Sequence, residues 1–207
     1  MKKFLLTLFL FTTITLPVFS QEKGDLIFDI KAGFGFNSNV IMNEWDNELL
    51  TNTDENFYIK NTNNFLALEA EIYYYIFKNL SIGVGANHCF DSKVNDMNYN
   101  FTNIFLAIKP EASLNSKIFS SVYCVGKVGY GILNTSGTFY NEKLNIDNGF
   151  YLGLGIGTTI KSFIVECIYS INYNKVSDSG WFNFSDLKCT KFILNIGYKF
   201  NILNNQK

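Results

Sequence analysis

Charge is scarce in this sequence. Only 17% of the 207 residues are Asp, Glu, Lys or Arg, and the formal net charge is −1, whereas about a quarter of a typical soluble domain is charged. No basic surface of the kind that nucleic-acid binding needs is present, so no nucleic-acid partner is predicted. The single histidine and the absence of any CxxC pair argue against a zinc site. No metal or cofactor is predicted.

Long hydrophobic runs are missing beyond the N-terminus. Residues 1–20 have two lysines, an apolar stretch over residues 4–16 and a cleavage-compatible Ser20, which is typical of a secretory signal peptide. The apolar stretch is shorter than the ~20 residues that a membrane helix needs. No later segment qualifies as a membrane helix either, so we predict an exported chain whose mature part is residues 21–207.

The four cysteines, Cys89, Cys124, Cys167 and Cys189, show no paired spacing. An exported chain could form disulfides. Cys89 and Cys189 lie beside the loop-side ends of the predicted strands 80–87 and 191–200, which are not neighbours, and a disulfide needs Cα atoms within about 7 Å. We therefore expect free thiols.

Glycine and aromatic residues are abundant, and their spacing is informative. In GFYLGLGIGTTIKSF, residues 149–163, three glycines at 153, 155 and 157 alternate with Leu152, Leu154 and Ile156. A dinucleotide-binding loop places its glycines in a turn between a strand and a helix, and no helical period follows here. Strict alternation instead predicts a β-strand with one apolar face.

The same period-two alternation occurs eight times along the chain. The links at 77–79, 113–117 and 161–162 are short, and the other four are longer and polar. Such a meander predicts an all-β fold, an eight-stranded antiparallel up-and-down transmembrane β-barrel with four long extracellular loops and three short periplasmic turns. The predicted strands cover residues 26–36, 66–76, 80–87, 103–111, 121–132, 150–160, 163–173 and 191–200.

Alternation does not by itself say which face is inside. A soluble lipocalin-like barrel would turn its apolar face inward around a ligand. Here the other face carries charges in mid-strand together with glycines, and such a mixture suits the narrow lumen of an eight-stranded barrel. We predict a lumen charge network in which Lys31 pairs with Glu69 or Glu71, and Lys127 with Glu166. Its members are Asp29, Lys31, Glu69, Glu71, Lys109, Glu111, Lys127, Glu166 and Lys191.

This layout resembles the small eight-stranded outer-membrane barrels, the group of the OmpA transmembrane domain, OmpX/Ail and the opacity proteins. The C-terminal FILNIGYKF, with Gly197, Tyr198 and Phe200, resembles the signal read by the barrel-assembly machinery. One departure is that seven residues follow Phe200, whereas the family usually ends on the aromatic residue. The resemblance implies an outer-membrane location, with membrane lipid and the assembly machinery as partners.

For the function we expect a non-enzymatic structural or surface-interaction role through the loops. Trp45 and Trp181, in predicted loops, are candidates for contact with an extracellular ligand. One alternative is a narrow channel for small or hydrophobic solutes. A more remote one is a lipid-modifying enzyme, which would have to use His88, the only histidine.

Overall fold

A computed structural model describes residues 23–44, 57–59, 64–94, 97–114, 116, 118–136, 145–178 and 184–203. The predicted signal peptide and both tryptophans, Trp45 and Trp181, lie outside these residues. Within them, every helix or strand assigned is a β-strand. In the same ranges, no helix is long and apolar enough to cross a membrane.

The described chain forms ten strands, of which eight are long and build the barrel. The two short ones are β2, which pairs with β1, and β7, which pairs with β9. The bounds are β1 Leu26–Glu44, β2 Phe57–Ile59, β3 Phe65–Phe77, β4 Leu80–Val94, β5 Met97–Ser113, β6 Ser121–Ser136, β7 Asn145–Ile146, β8 Gly149–Ile160, β9 Phe163–Asp178 and β10 Phe184–Leu203.

The barrel is closed and antiparallel throughout. Its strands follow the order β1-β3-β4-β5-β6-β8-β9-β10, and β10 pairs with both β9 and β1. The predicted up-and-down eight-stranded barrel is therefore confirmed. We call the end with the links 78–79, 114–120 and 161–162 the turn end, and the opposite end the loop end.

The strands extend further toward the loop end than predicted. β1 continues to Glu44, paired with β10, and β4 pairs with β5 up to Val94 and Met97, so only two residues separate these strands. The predicted long loop between them is thus mostly paired strand. A register shift between Cys89 and Ser92 interrupts the alternation here, and such a bulge hides a strand from a period-two reading.

The apolar face points outward. In β3, Leu66 and Leu68 are 63% and 53% exposed, whereas Glu69 and Glu71 on the opposite face are 5% and 1% exposed. Aromatic side chains on this outer face lie toward both ends, including Phe77 and Phe200 at the turn end and Phe36 and Tyr173 at the loop end. This is the reverse of a lipocalin-like barrel, and it matches the lipid-facing band and aromatic girdles of membrane barrels.

Glycines on the inner face make room for large inner side chains. A Cβ on Gly157 would overlap the ring of Tyr123, and one on Gly85 would lie 2.8 Å from the ring of Phe105. The three glycines of the GLGIG stretch lie within β8. They are strand positions beside packed rings, not a nucleotide-binding turn.

Candidate functional site: the ion-paired lumen

Lys31 of β1 lies at the centre of the lumen. Its Nζ is 2.9 Å from Glu69 Oε1, 2.5 Å from Glu71 Oε2 and 2.8 Å from Glu166 Oε1. Glu69 and Glu71 are the register partners of Lys31 and Asp29 on the neighbouring strand β3, so the ladder itself places them. Glu166 belongs to β9, two strands away, and reaches Lys31 through the interior. The three ammonium hydrogens each have a carboxylate within reach.

Lys127 of β6 joins the same group from the other side. Its Nζ is 2.7 Å from Glu69 Oε1, 2.9 Å from Glu71 Oε1 and 3.6 Å from Glu166 Oε1. Two ammonium groups are thus shared by three carboxylates. We call these five residues, Lys31, Glu69, Glu71, Lys127 and Glu166, the central cluster.

Neutral donors complete the central cluster. The hydroxyl of Tyr73 donates to Glu71 at 3.0 Å and that of Tyr123 to Glu166 at 3.0 Å. The amides of Asn87 and Asn195 donate to Glu69 and Glu166 at 3.4 and 3.3 Å. Burying ions is costly unless their remaining hydrogen-bonding capacity is used, and these donors supply it for the one carboxylate in excess.

Two further ion pairs lie between the central cluster and the turn end. Lys109 Nζ is 2.9 Å from Asp29 Oδ2 and 3.6 Å from the ring centroid of Tyr73. Lys199 Nζ is 3.4 Å from Glu111 Oε1, and Glu111 also accepts a hydrogen bond from Tyr75. Lys199 was absent from the predicted network. It shares the inner face of β10 with Lys191, so the strand parity could have identified it.

A row of amides lies on the loop-end side of the central cluster. Asn172 donates to Asn103 at 2.5 Å, Asn103 to Asn87 at 2.8 Å, and Asn87 in turn to Glu69 and to the hydroxyl of Tyr151. The donors therefore point stepwise toward the central cluster. Sequence reasoning missed these residues because it searched the inner face for charges only.

The loop-end half of the lumen is mainly apolar. Lys191 lies there, 1% exposed, with Nζ 3.4 Å from the ring centroid of Phe101 and 5.4 Å from that of Phe65. Among the described residues its Nζ has no hydrogen-bond partner. We call the surrounding buried residues the apolar cap; they are Val40, Phe65, Ala67, Cys89, Tyr99, Phe101, Leu133, Leu187, Cys189 and Ile193.

The structure thus brings eight of the nine predicted charges into ion pairs and leaves Lys191 apart. All nine, and Lys199, are at most 6% exposed. Since water has almost no access to these side chains, the described part of the lumen is a packed interior without an aqueous bore. In the part of the chain that the structure describes, no group of three or more His, Cys, Asp or Glu side chains could hold a metal ion.

The three residues of the predicted assembly signal lie at the turn end of β10. Gly197 is opposite Lys31 of β1 and Ile164 of β9, while the rings of Tyr198 and Phe200 are 4.6 Å apart. β10 runs on to Leu203, which pairs with Leu26. Phe200 is therefore not the last residue of the strand, and its role in assembly stays a prediction.

His88 and the four cysteines take no part in the central cluster. His88 is half-buried on the outer face, with Nδ1 2.8 Å from Thr102 Oγ1 and its ring 4.3 Å from that of Phe90. All four cysteines are free thiols; Cys89 and Cys189 are buried. The His88–Thr102 hydrogen bond is a wall contact between neighbouring strands.

The outer wall also carries an apolar recess of about 770 Å³ near the turn end, lined in part by Pro110, Cys124 and Ile156. The described pairing of β5 with β6 skips the two positions between Ile108 and Glu111. Proline has no N–H to donate to a neighbouring strand, which accounts for an interruption at Pro110. The recess lies on the apolar outer face of the barrel.

Comparison with known proteins gives structural neighbours only. No protein-family model matches the sequence, and no curated protein matches it. Among solved structures, the outer-membrane protein AlkL, determined in DMPC lipid bilayers, aligns over 92% of this chain and 98% of its own, with 14% identity and a TM-score of 0.50.

Two further matches have lower TM-scores. OprG from Pseudomonas aeruginosa covers 87% of this chain and 98% of its own at 11% identity and a TM-score of 0.47. Ail, the attachment invasion locus protein of Yersinia pestis, covers 86% and 99% at 16% identity and a TM-score of 0.44. At such identities the comparisons concern the fold alone. The fold is that of the small eight-stranded outer-membrane β-barrels, as the sequence resemblance predicted.

Proposed function

We propose that this protein is an integral β-barrel of the bacterial outer membrane that neither conducts solutes nor catalyses a reaction. Its lumen is a structural plug, and its contacts with other molecules are made by the loops. The observation that carries this proposal is the packed, ion-paired lumen, in which none of the ten inward charges named above is more than 6% exposed.

The outer face supports the membrane location. Leu106, Leu154 and Ile156 are 62%, 69% and 67% exposed in mid-strand, where water would penalise them by about 25 cal/mol for each Å² of apolar surface. Lipid removes that penalty. Closure of the sheet satisfies the backbone groups, which a bilayer requires. The turn end then faces the periplasm and the loop end the exterior, as in other outer-membrane barrels.

The central cluster supports a closed lumen. A through-going aqueous path would have to displace Lys31, and with it three carboxylate contacts of 2.5–2.9 Å. Removing one partner from a buried ion pair costs about 3–5 kcal/mol, so the path stays closed at equilibrium. With the lumen blocked, the loops are the surfaces left for recognition, and Trp45 and Trp181 are the candidate contacts in them.

Single-channel recording tests the closed lumen. The folded protein is reconstituted into lipid vesicles, a sample is checked for the faster migration of unboiled barrel on a detergent gel, and the same vesicles are fused to a planar bilayer. We expect a flat current trace from vesicles that contain heat-modifiable barrel. Reproducible conductance steps would contradict the plug and support the narrow-channel alternative.

Cell fractionation tests the location. We expect the mature chain in the outer-membrane fraction, as a band that slows on boiling. Recovery in the soluble periplasmic fraction would contradict the proposal. For the enzymatic alternative, lipid extracts from cells that express the wild type and His88→Ala should be identical, because the described neighbour of His88 Nδ1 is only Thr102.

A further inference from the structure

One lumen lysine differs from the other four. Lys31, Lys109, Lys127 and Lys199 each have a carboxylate oxygen within 3.4 Å. Lys191 is equally buried, yet among the described residues its ammonium has no hydrogen-bond partner. A buried ammonium without a counter-ion is so costly that the group either acquires a counter-ion or gives up its proton.

Aromatic contacts compensate only part of this cost. The Lys191 Nζ lies over Phe101 at 3.4 Å and at 5.4 Å from the centroid of Phe65. A desolvated cation–π contact stabilises by about 2 kcal/mol, whereas burial of an ion costs several kcal/mol even after relaxation. The rings therefore hold the ammonium in place without neutralising it.

The side chains around Lys191 are suited to an anion. The apolar cap contributes the thiols of Cys89 and Cys189 and the hydroxyl of Tyr99. The Tyr99 hydroxyl likewise has no partner among the described residues, and thiols are weak donors. The central cluster does not serve as counter-ion, because its carboxylates contact Lys31 and Lys127 and, among the described residues, none of them contacts the Lys191 ammonium.

We propose that the loop-end half of the lumen binds one small monovalent anion, a halide or a small carboxylate, with the Lys191 ammonium as its counter-ion. One charge is enough, since one ammonium is unpaired. The anion is small because the site is enclosed: every member of the apolar cap is at most 6% exposed. The site is separate from the loops and does not depend on their ligand.

Thermal unfolding of the purified full-length barrel in detergent tests this site. The midpoint is measured in sodium chloride, sodium formate and sodium gluconate at equal ionic strength, gluconate being too large for the cap. We expect chloride, formate or both to raise the midpoint by about 3–6 °C for each tenfold increase above the dissociation constant. The salt that raises the unfolding midpoint shows whether the site binds a halide or a small carboxylate.

Lys191→Met should abolish this dependence. The matched control is Lys188→Met, because Lys188 lies on the same strand and also faces an aromatic ring, that of Tyr173 at 5.4 Å, but is not in the lumen. The control should keep the wild-type response. Equal midpoints in all three salts, or the same response in Lys191→Met as in the control, would overturn the proposal.

A measurement on the wild type alone covers the case in which Lys191→Met does not fold. The ³⁵Cl NMR line of dilute chloride should broaden with folded barrel, and excess formate should narrow it again if the two anions share the site. Heat-unfolded protein at the same concentration should lose the broadening. No difference between folded and unfolded protein, with no midpoint shift in formate, would overturn the proposal.

Discussion

The two halves of the lumen stabilise their buried charges in different ways. In the turn-end half and the central cluster, four lysines and five acidic residues form eight close contacts of 2.5–3.6 Å. In the loop-end half, beyond the row of amides, apolar side chains surround a single ammonium, Lys191. Both halves are buried and both carry charge, but only the first compensates its charge with opposite charge.

This difference shows that equal numbers of positive and negative side chains in the lumen do not place each charge beside an opposite one. The ten inward charges named above are five acidic and five basic. The central cluster nevertheless holds three carboxylates to two ammonium groups, and the ammonium that would balance it is Lys191, in the apolar cap. Neutral donors stabilise the surplus carboxylate, and we infer that an anion stabilises the surplus ammonium.

The largest expected effect is that of Lys31→Met. It leaves three buried carboxylates with one ammonium, so we expect a loss of at least about 5 kcal/mol in the free energy of unfolding, or failure to fold. Urea-induced unfolding in detergent, followed by gel mobility, measures it. Lys175→Met is the control, because Lys175 is exposed near the loop end; similar midpoints for the two variants would contradict the description of the central cluster.

The second prediction contrasts the two halves directly. Lys109→Met leaves Asp29 without its ion-pair partner at 2.9 Å. We expect this to lower the free energy of unfolding by about 3–5 kcal/mol. Lys191→Met leaves no carboxylate without a partner, so at low salt it should leave the free energy of unfolding unchanged or raise it. The same urea titration compares both variants, and a loss for Lys191→Met as large as that for Lys109→Met would show that the halves are not different.

The third prediction compares two buried tyrosine hydroxyls. Tyr123→Phe removes a 3.0 Å hydrogen bond to Glu166 and should cost about 1.5–3 kcal/mol, as expected for a bond to a charged group. Tyr99→Phe removes a hydroxyl without a partner among the described residues and should be close to neutral in sodium gluconate, where the proposed anion site is empty. Chemical denaturation distinguishes the two variants. A greater loss for Tyr99→Phe than for Tyr123→Phe would contradict the described hydrogen bond of Tyr123 to the central cluster.

The smallest effect concerns packing. Gly157→Ala places a Cβ against the Tyr123 ring and should cost about 1–3 kcal/mol by overpacking. Gly126→Ala on the outer face meets Ile108 only at 3.5 Å and should be neutral or slightly stabilising. Thermal unfolding midpoints give the comparison, and equal midpoints would mean that the lumen is looser than described.

Much of this architecture could be read from the alternation of residue types. Lys31 contacts both Glu69 and Glu71 because their strands are neighbours, whereas the prediction paired it with one or the other; the predicted pairing of Lys127 with Glu166 corresponds to a distance of 3.6 Å. The contact of Lys31 with Glu166 was not predicted. Like that of Lys127 with Glu166, it joins strands that are not neighbours, so the order of the strands alone does not place it. Such contacts depend on strand stagger around the closed barrel.

The extension of β4 and β5 was missed for another physical reason. Backbone hydrogen bonds between strands continue regardless of side-chain polarity, so the ladder can run beyond the apolar band that the sequence marks. The shift between Cys89 and Ser92 then changes the parity. A period-two pattern reflects the alternation of buried and exposed side chains. Where this alternation ends, the pattern no longer predicts a strand even if the backbone pairing continues.

The sequence by itself determined the number of barrel strands, their antiparallel succession and the face that carries the charges, because alternation of side chains is a local property of a strand. Only the tertiary structure decided which charges meet. Closure brings Lys31, Lys127 and Glu166 together from three different strands and leaves Lys191 among Phe101, Phe65 and the rest of the apolar cap. Coulomb energy depends on distance through the folded interior, and that distance is set by the barrel.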